Sequence, residues 1–103
     1  MIGLDKLNSK LVFLEKDSSA KRFYLIDLHN LSSCRLIKKE NVAQHICAIY
    51  LLCTFKDNSA KDIILPFYDE AKDKLYKMMR LSKKANYWEE SINIFRDAPL
   101  IHQ

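Results

Sequence analysis

From residue 69 onward the apolar residues of this chain recur at helical spacing. Ala71, Leu75, Met78, Leu81, Ala85, Trp88, Ile92 and Phe95 follow one another at steps of three or four, the stripe of a helix laid against a core. No glycine or proline interrupts the stripe before Pro99. Asp69 can cap the helix start, and with Glu70 it suits the positive end of the helix dipole. The spacing predicts a helix from Asp69 to about Phe95, roughly 27 residues and about 40 Å long at ~1.5 Å per residue. A domain of this size has a radius of gyration of about 13 Å. Such a helix must bend or break near Ser82 to Ala85, or project and find a partner. Its core face is expected to hold Leu75, Met78, Leu81, Ala85, Trp88 and Ile92, so that Trp88→Ala costs about 3–5 kcal/mol.

The residues before the stripe read as short extended segments. Leu11 to Leu14 is a continuous apolar run, followed by a polar turn from Lys16 to Lys21. Arg22 to Leu28 is rich in aromatic and branched residues, and a turn over His29 to Ser32 leads to a third strand, Ser33 to Lys38. Lys39 to Gln44 fits either a helical turn or a loop. Ile46 to Phe55 is apolar nearly throughout, and its Ile, Tyr, Thr and Phe content favours a strand. After a hairpin-type turn at Asp57 to Ala60, Lys61 to Phe67 forms the fifth strand. Pro66 makes it an edge or ends it there. Five strands joined by short polar turns predict an antiparallel meander. The fold class expected is therefore α+β: one domain over residues 1–103, with a sheet at about 10–67, a helix at about 69–95 and a short tail at 96–103.

Composition narrows the chemistry. The chain has 103 residues, 49% of them hydrophobic, enough for one core. Gly3 is the single glycine, which excludes glycine-rich phosphate loops, dinucleotide fingerprints and nucleophile elbows. No small-molecule cofactor is expected. Three cysteines, an odd number in a chain with an ample core, argue for free thiols and a cytoplasmic setting. The first ten residues lack the apolar run of a signal peptide, and Ile46 to Cys53 is too short to cross a membrane.

His45, Cys47 and Cys53 share one parity on their strand, but their spacing is not that of paired zinc ligands, and no metal site is expected. Asp27, His29 and Ser32 or Ser33 could be arranged as orienting carboxylate, base and nucleophile. Solvated turn residues account for them as well, and the chain is not expected to be an enzyme. The basic residues are more informative. A formal charge of +4 is compatible with weak attraction to phosphate. On the expected helix Tyr76, Arg80, Lys83 and Tyr87 fall within about 60° of one another at 100° per residue, with Lys84 beside them. Two tyrosines between cations could stack on bases or sit at an interface; a solvated face with rings packed on lysine stems is the plainer reading.

Lys21-Arg-Phe-Tyr-Leu-Ile-Asp27 resembles the second-strand phrase of pleckstrin-homology domains, and Tyr87-Trp-Glu-Glu-Ser-Ile92 is similar to their closing helix. The resemblance implies a bent antiparallel sheet or partial barrel closed by a C-terminal helix, with a tryptophan against its open end. It implies a non-enzymatic module that binds phosphoinositides or protein segments, and it makes Lys16, Lys21 and Arg22 the ligand residues. A looser similarity is to small bacterial domains attached to a membrane segment, which would make the chain the cytosolic part of an anchored parent. The function expected is an interaction or regulatory module that binds a protein partner or forms a homodimer. The alternative is weak binding of anionic lipid or nucleic acid through the basic helix face and the first interstrand loop.

Overall fold

The computed structural model describes residues 1–16 and 21–97, without the side chains of Lys16 and Asp97. Residues 17–20 of the polar turn expected from Lys16 to Lys21, and most of the expected tail, lie outside the described residues.

Alternation of branched and aromatic residues builds six antiparallel strands. They are β1 (Ile2–Asp5), β2 (Lys10–Lys16), β3 (Lys21–Asp27), β4 (Leu31–Glu40), β5 (Ile46–Phe55) and β6 (Ile63–Asp69), followed by a helix, α1 (Met78–Asp97). The α+β class stands, but the single five-strand meander does not. The strands form two three-stranded sheets, ordered β1-β2-β3 and β4-β5-β6. The division falls at Leu28–Asn30, a 3-10 turn in which the Asp27 carboxylate accepts the His29 N–H at 3.0 Å. This local bond turns the chain away from β3, so β4 pairs with β5 instead.

The extra strand is β1. Its four residues and glycine carry little strand signal alone; pairing supplies the rest, with Ile2 opposite Phe13 and Leu4 opposite Leu11. A turn held by the Asp5 carboxylate, which accepts from the Asn8 amide side chain at 2.8 Å, joins it to β2.

The helix begins nine residues later than its apolar spacing predicts. Asp69 still belongs to β6, and its carboxylate accepts the Ala71 N–H at 3.0 Å while its own N–H donates to Asp73 at 2.9 Å. These bonds offer the backbone a turn in place of a helix. Lys74 is then extended, with φ −75° and ψ 144°, ahead of a 3-10 turn at Leu75–Lys77. The break thus lies before Met78 and not near Ser82 to Ala85. Leu75, expected in the core, is 72% exposed. At 20 residues the helix is about 30 Å long.

Buried residues of β2 through β6 and α1 make one cluster, including Leu11, Ile26, Leu31, Leu51, Leu65 and Ile92. Ala85 and Ile92 are the helix residues fully withdrawn from solvent, while Met78, Leu81, Trp88 and Phe95 pack against the cluster partly buried. No helix among the described residues is long and apolar enough to cross a membrane.

Candidate interaction surface

The two sheets have four outer strands, β1, β3, β4 and β6. An outer strand presents unpaired backbone groups along one side, a template for another chain. Three of the four carry a device that limits this.

The first device is the helix. Glu89, Asn93 and Arg96 lie on one face of α1 and reach the backbone of β4. The Glu89 carboxylate accepts the Leu36 N–H, the Asn93 side-chain amide donates to the Cys34 carbonyl at 2.8 Å, and the Arg96 guanidinium donates to the Ser32 carbonyl at 2.7 Å. The periods match: four helical residues advance about 6 Å and two strand residues about 6.7 Å. Helix positions four and three apart therefore meet alternate residues of the strand. β6 carries Pro66, which has no N–H to offer, at a shift of register between Ile49 and Tyr50. β1 is four residues long.

β3 has none of these. Its seven residues pair with β2 without interruption, contain no proline or glycine, and meet no further strand on the other side among the described residues. The Leu28 N–H, one residue past the strand, donates to the Ser9 carbonyl at 3.0 Å. Strand backbone groups alternate sides, so Arg22, Tyr24 and Ile26 direct theirs to β2, and Lys21, Phe23, Leu25 and Asp27 direct theirs outward.

The outward side chains are apolar at the centre. Phe23 is 62% and Leu25 59% exposed. Directly opposite them on β2 stand Leu14 and Val12, both half-buried, so four apolar side chains occupy the outer face of the first sheet. Opposite charges mark the ends of β3. Lys21 is exposed at one end, and Asp27 at the other lies 3.4 Å from Lys10. Partial desolvation acts to raise the Asp27 carboxyl, but the His29 N–H and the Lys10 ammonium prevail and hold it below the ordinary range.

The residues expected to bind a ligand are spread over several surfaces. Lys21 and Arg22 open β3, both exposed; Lys16 ends β2 and its side chain lies outside the described residues. Arg80, Lys83, Lys84 and Tyr87 are exposed on α1, one face by spacing. Tyr76 is exposed but sits in the 3-10 turn ahead of the helix, so the angular cluster that joined it to Arg80 does not hold. Lys84 lines a cleft of about 580 Å³ between the sheets, together with Glu15, Asp69, Lys72 and Asp73. Arg22 lines a different hollow of about 340 Å³ beside Glu15, Tyr24 and Asp62. The mixed signs make neither a basin of positive charge.

The thiol and hydroxyl groups have structural partners. Cys34 and Cys53 face each other across β4 and β5, buried and unbridged. A hydrogen bond with Cys53, and then burial, pushes the Cys34 thiol far above the ordinary range. Such a thiol is a poor nucleophile. Cys47 donates to the Lys39 carbonyl at 3.4 Å, and Ser33 shares a hydroxyl hydrogen bond with Thr54. Among the described residues no group of three or more His, Cys, Asp and Glu side chains could hold a metal.

Sequence reasoning passed over Phe23 and Leu25. Their signal was present: β3 is apolar at both parities, and an outer strand of a three-stranded sheet has only one face to bury. Comparison with protein-family models, with curated proteins and with solved structures gave no match to this chain.

Proposed function

We propose that this chain is a non-enzymatic interaction module of pleckstrin-homology-like shape, which binds a protein partner or another copy of itself through β3. One observation carries this reading: Phe23 and Leu25 are more than half exposed on an outer strand that, among the described residues, has no helix, proline or shift of register to shield it. Adding a strand there supplies main-chain hydrogen bonds, and the alternate apolar side chains supply selectivity. Selection from a phage-displayed library of about ten-residue random peptides tests it, with the Phe23→Ser, Leu25→Ser double variant as counter-target. Enriched peptides with alternating apolar residues that ignore the variant support the reading. Peptides that bind both proteins equally refute it, as does the absence of enrichment on a chain that light scattering finds monomeric.

A second reading rests on Arg80, Lys83, Lys84 and Tyr87, all exposed along one helix face. It takes an anionic lipid surface or nucleic acid as the ligand. Sedimentation with phosphatidylserine vesicles and gel shift of single-stranded DNA, each at low and high salt, test it. Phosphate-driven binding falls steeply as salt rises.

A further inference from the structure

We infer that the partner on β3 is a second copy of this chain, joined by antiparallel pairing of β3 with itself about a two-fold axis at Tyr24. The inference rests on the preceding reading of β3 as the working surface and names its occupant.

The strand reads nearly the same in both directions. Its sequence is Lys21-Arg-Phe-Tyr-Leu-Ile-Asp27, and antiparallel pairing centred on Tyr24 sets Lys21 opposite Asp27 of the other copy. Phe23 then lies opposite Leu25, and Arg22 opposite Ile26. A two-fold interface requires a surface that complements itself; on the outer face a cation meets an anion at each end, and Phe23 and Leu25 meet between them. Directly opposed pairs of both kinds stabilise antiparallel strands.

The backbone agrees with the side chains. The outward-directed amides and carbonyls are those of Lys21, Phe23, Leu25 and Asp27, as the Leu28 to Ser9 bond fixes. A two-fold axis at Tyr24 sets these same residues against each other, Phe23 to Leu25 and Lys21 to Asp27, so donors meet acceptors throughout. An axis at Phe23 would bring Lys21 against Leu25 and leave Asp27 beyond the pairing. The register at Tyr24 is the one that satisfies charge, apolar contact and hydrogen bonding together. It joins two three-stranded sheets into one of six strands and makes the apolar patches of Val12, Leu14, Phe23 and Leu25 continuous across the axis.

Light scattering on the full chain over a dilution series tests this, with three variants. Lys21→Asp sets two acids together at each end, and Asp27→Lys sets two cations together. Like charges so placed weaken association by about tenfold or more. An equimolar mixture of these two variants restores opposite charges at both ends, so a dimer returns on mixing. Leu25→Pro removes an outward N–H and leaves the β2 ladder intact; it is expected to remain folded by circular dichroism and to be monomeric. Because Asp27 also holds the turn after β3, circular dichroism is recorded for Asp27→Lys as well; should it not fold, Lys21→Asp and Leu25→Pro carry the test. A wild-type chain that stays monomeric at all concentrations overturns the inference. So does a dimer that Leu25→Pro and Lys21→Asp leave unchanged, or two folded charge variants that fail to recombine. If the wild-type chain is monomeric yet peptide selection still finds β3, only the second copy falls. If the chain is monomeric and the selected peptides ignore β3, the reading beneath it falls too.

Discussion

Glu89 is an acid on a helix surface whose carboxylate is committed to a strand amide. Removing it as Glu89→Ala leaves the Leu36 N–H half-buried without that acceptor. Such an orphaned group costs about 1–3 kcal/mol, measured as a lower urea midpoint, whereas Glu89→Gln keeps an acceptor and loses less. Within the apolar stripe, full burial of Ile92 makes Ile92→Ala the more costly change, about 2–5 kcal/mol. Half-buried Trp88 falls below the range its spacing alone suggests, and parallel thermal melts rank the two. Among the described residues three carboxyls are held below the ordinary range, and acid pH acts through them. The Asn8 side chain and amide lower Asp5, the Ser59 backbone and hydroxyl lower Asp57, and Asp27 is lowered as described, each from an ordinary 3.8. A carboxyl with a depressed folded pKa binds fewer protons folded than unfolded. Its contribution is full above the unfolded value and is lost as pH falls through the folded one. Urea midpoints are therefore expected to hold from about pH 6 to pH 5 and to fall from about pH 4 to pH 3. Opposite shifts from these three groups would contradict the assignment.

Elements were legible where their signal was local. Ile46 to Phe55 is strand over the whole span that its residue types indicate, and the last third is helical with Ala85 and Ile92 inward. What the spacing of Ala71, Leu75 and Met78 could not reveal is the competition at Asp69, where side-chain bonds to Ala71 and from Asp73 win a turn from the helix. Leu75→Ser tests that boundary. At an exposed turn position the change falls within about 0.5 kcal/mol, whereas a helix beginning at Asp69 would lose a core side chain and melt lower. β1 was invisible for the opposite reason, since pairing with β2 and not its own residue types makes it a strand. The candidate site divides in the same way. Arg80, Lys83, Lys84 and Tyr87 were identified by residue type and spacing, Lys21 and Arg22 by resemblance, and all are exposed. The bareness of β3 depends on which strands find partners, a non-local property that no window of sequence carries.

At the scale of the whole molecule, four sheet edges are treated unequally. Among the described residues a helix covers β4, Pro66 interrupts β6, brevity limits β1, and nothing pairs with the outer side of β3. Every strand among the described residues also precedes α1 in chain order. A ribosome adding about 5–20 residues per second therefore exposes β4 for some seconds before Glu89, Asn93 and Arg96 have been joined to the chain. During that interval a nascent chain presents two long bare edges of unlike sequence. Two unlike edges can join head to tail, and such contacts need not close on themselves. On the pairing proposed for β3, arrival of the helix closes one of these two edges, and association through the other then ends at a pair. A chain terminated after Asp69 is accordingly expected to form species whose scattered light keeps growing with time, where the full chain reaches a fixed mass. A helix made after the strand it covers would thus serve as a chaperone carried in the same polypeptide, and its timing during translation would matter as much as its packing.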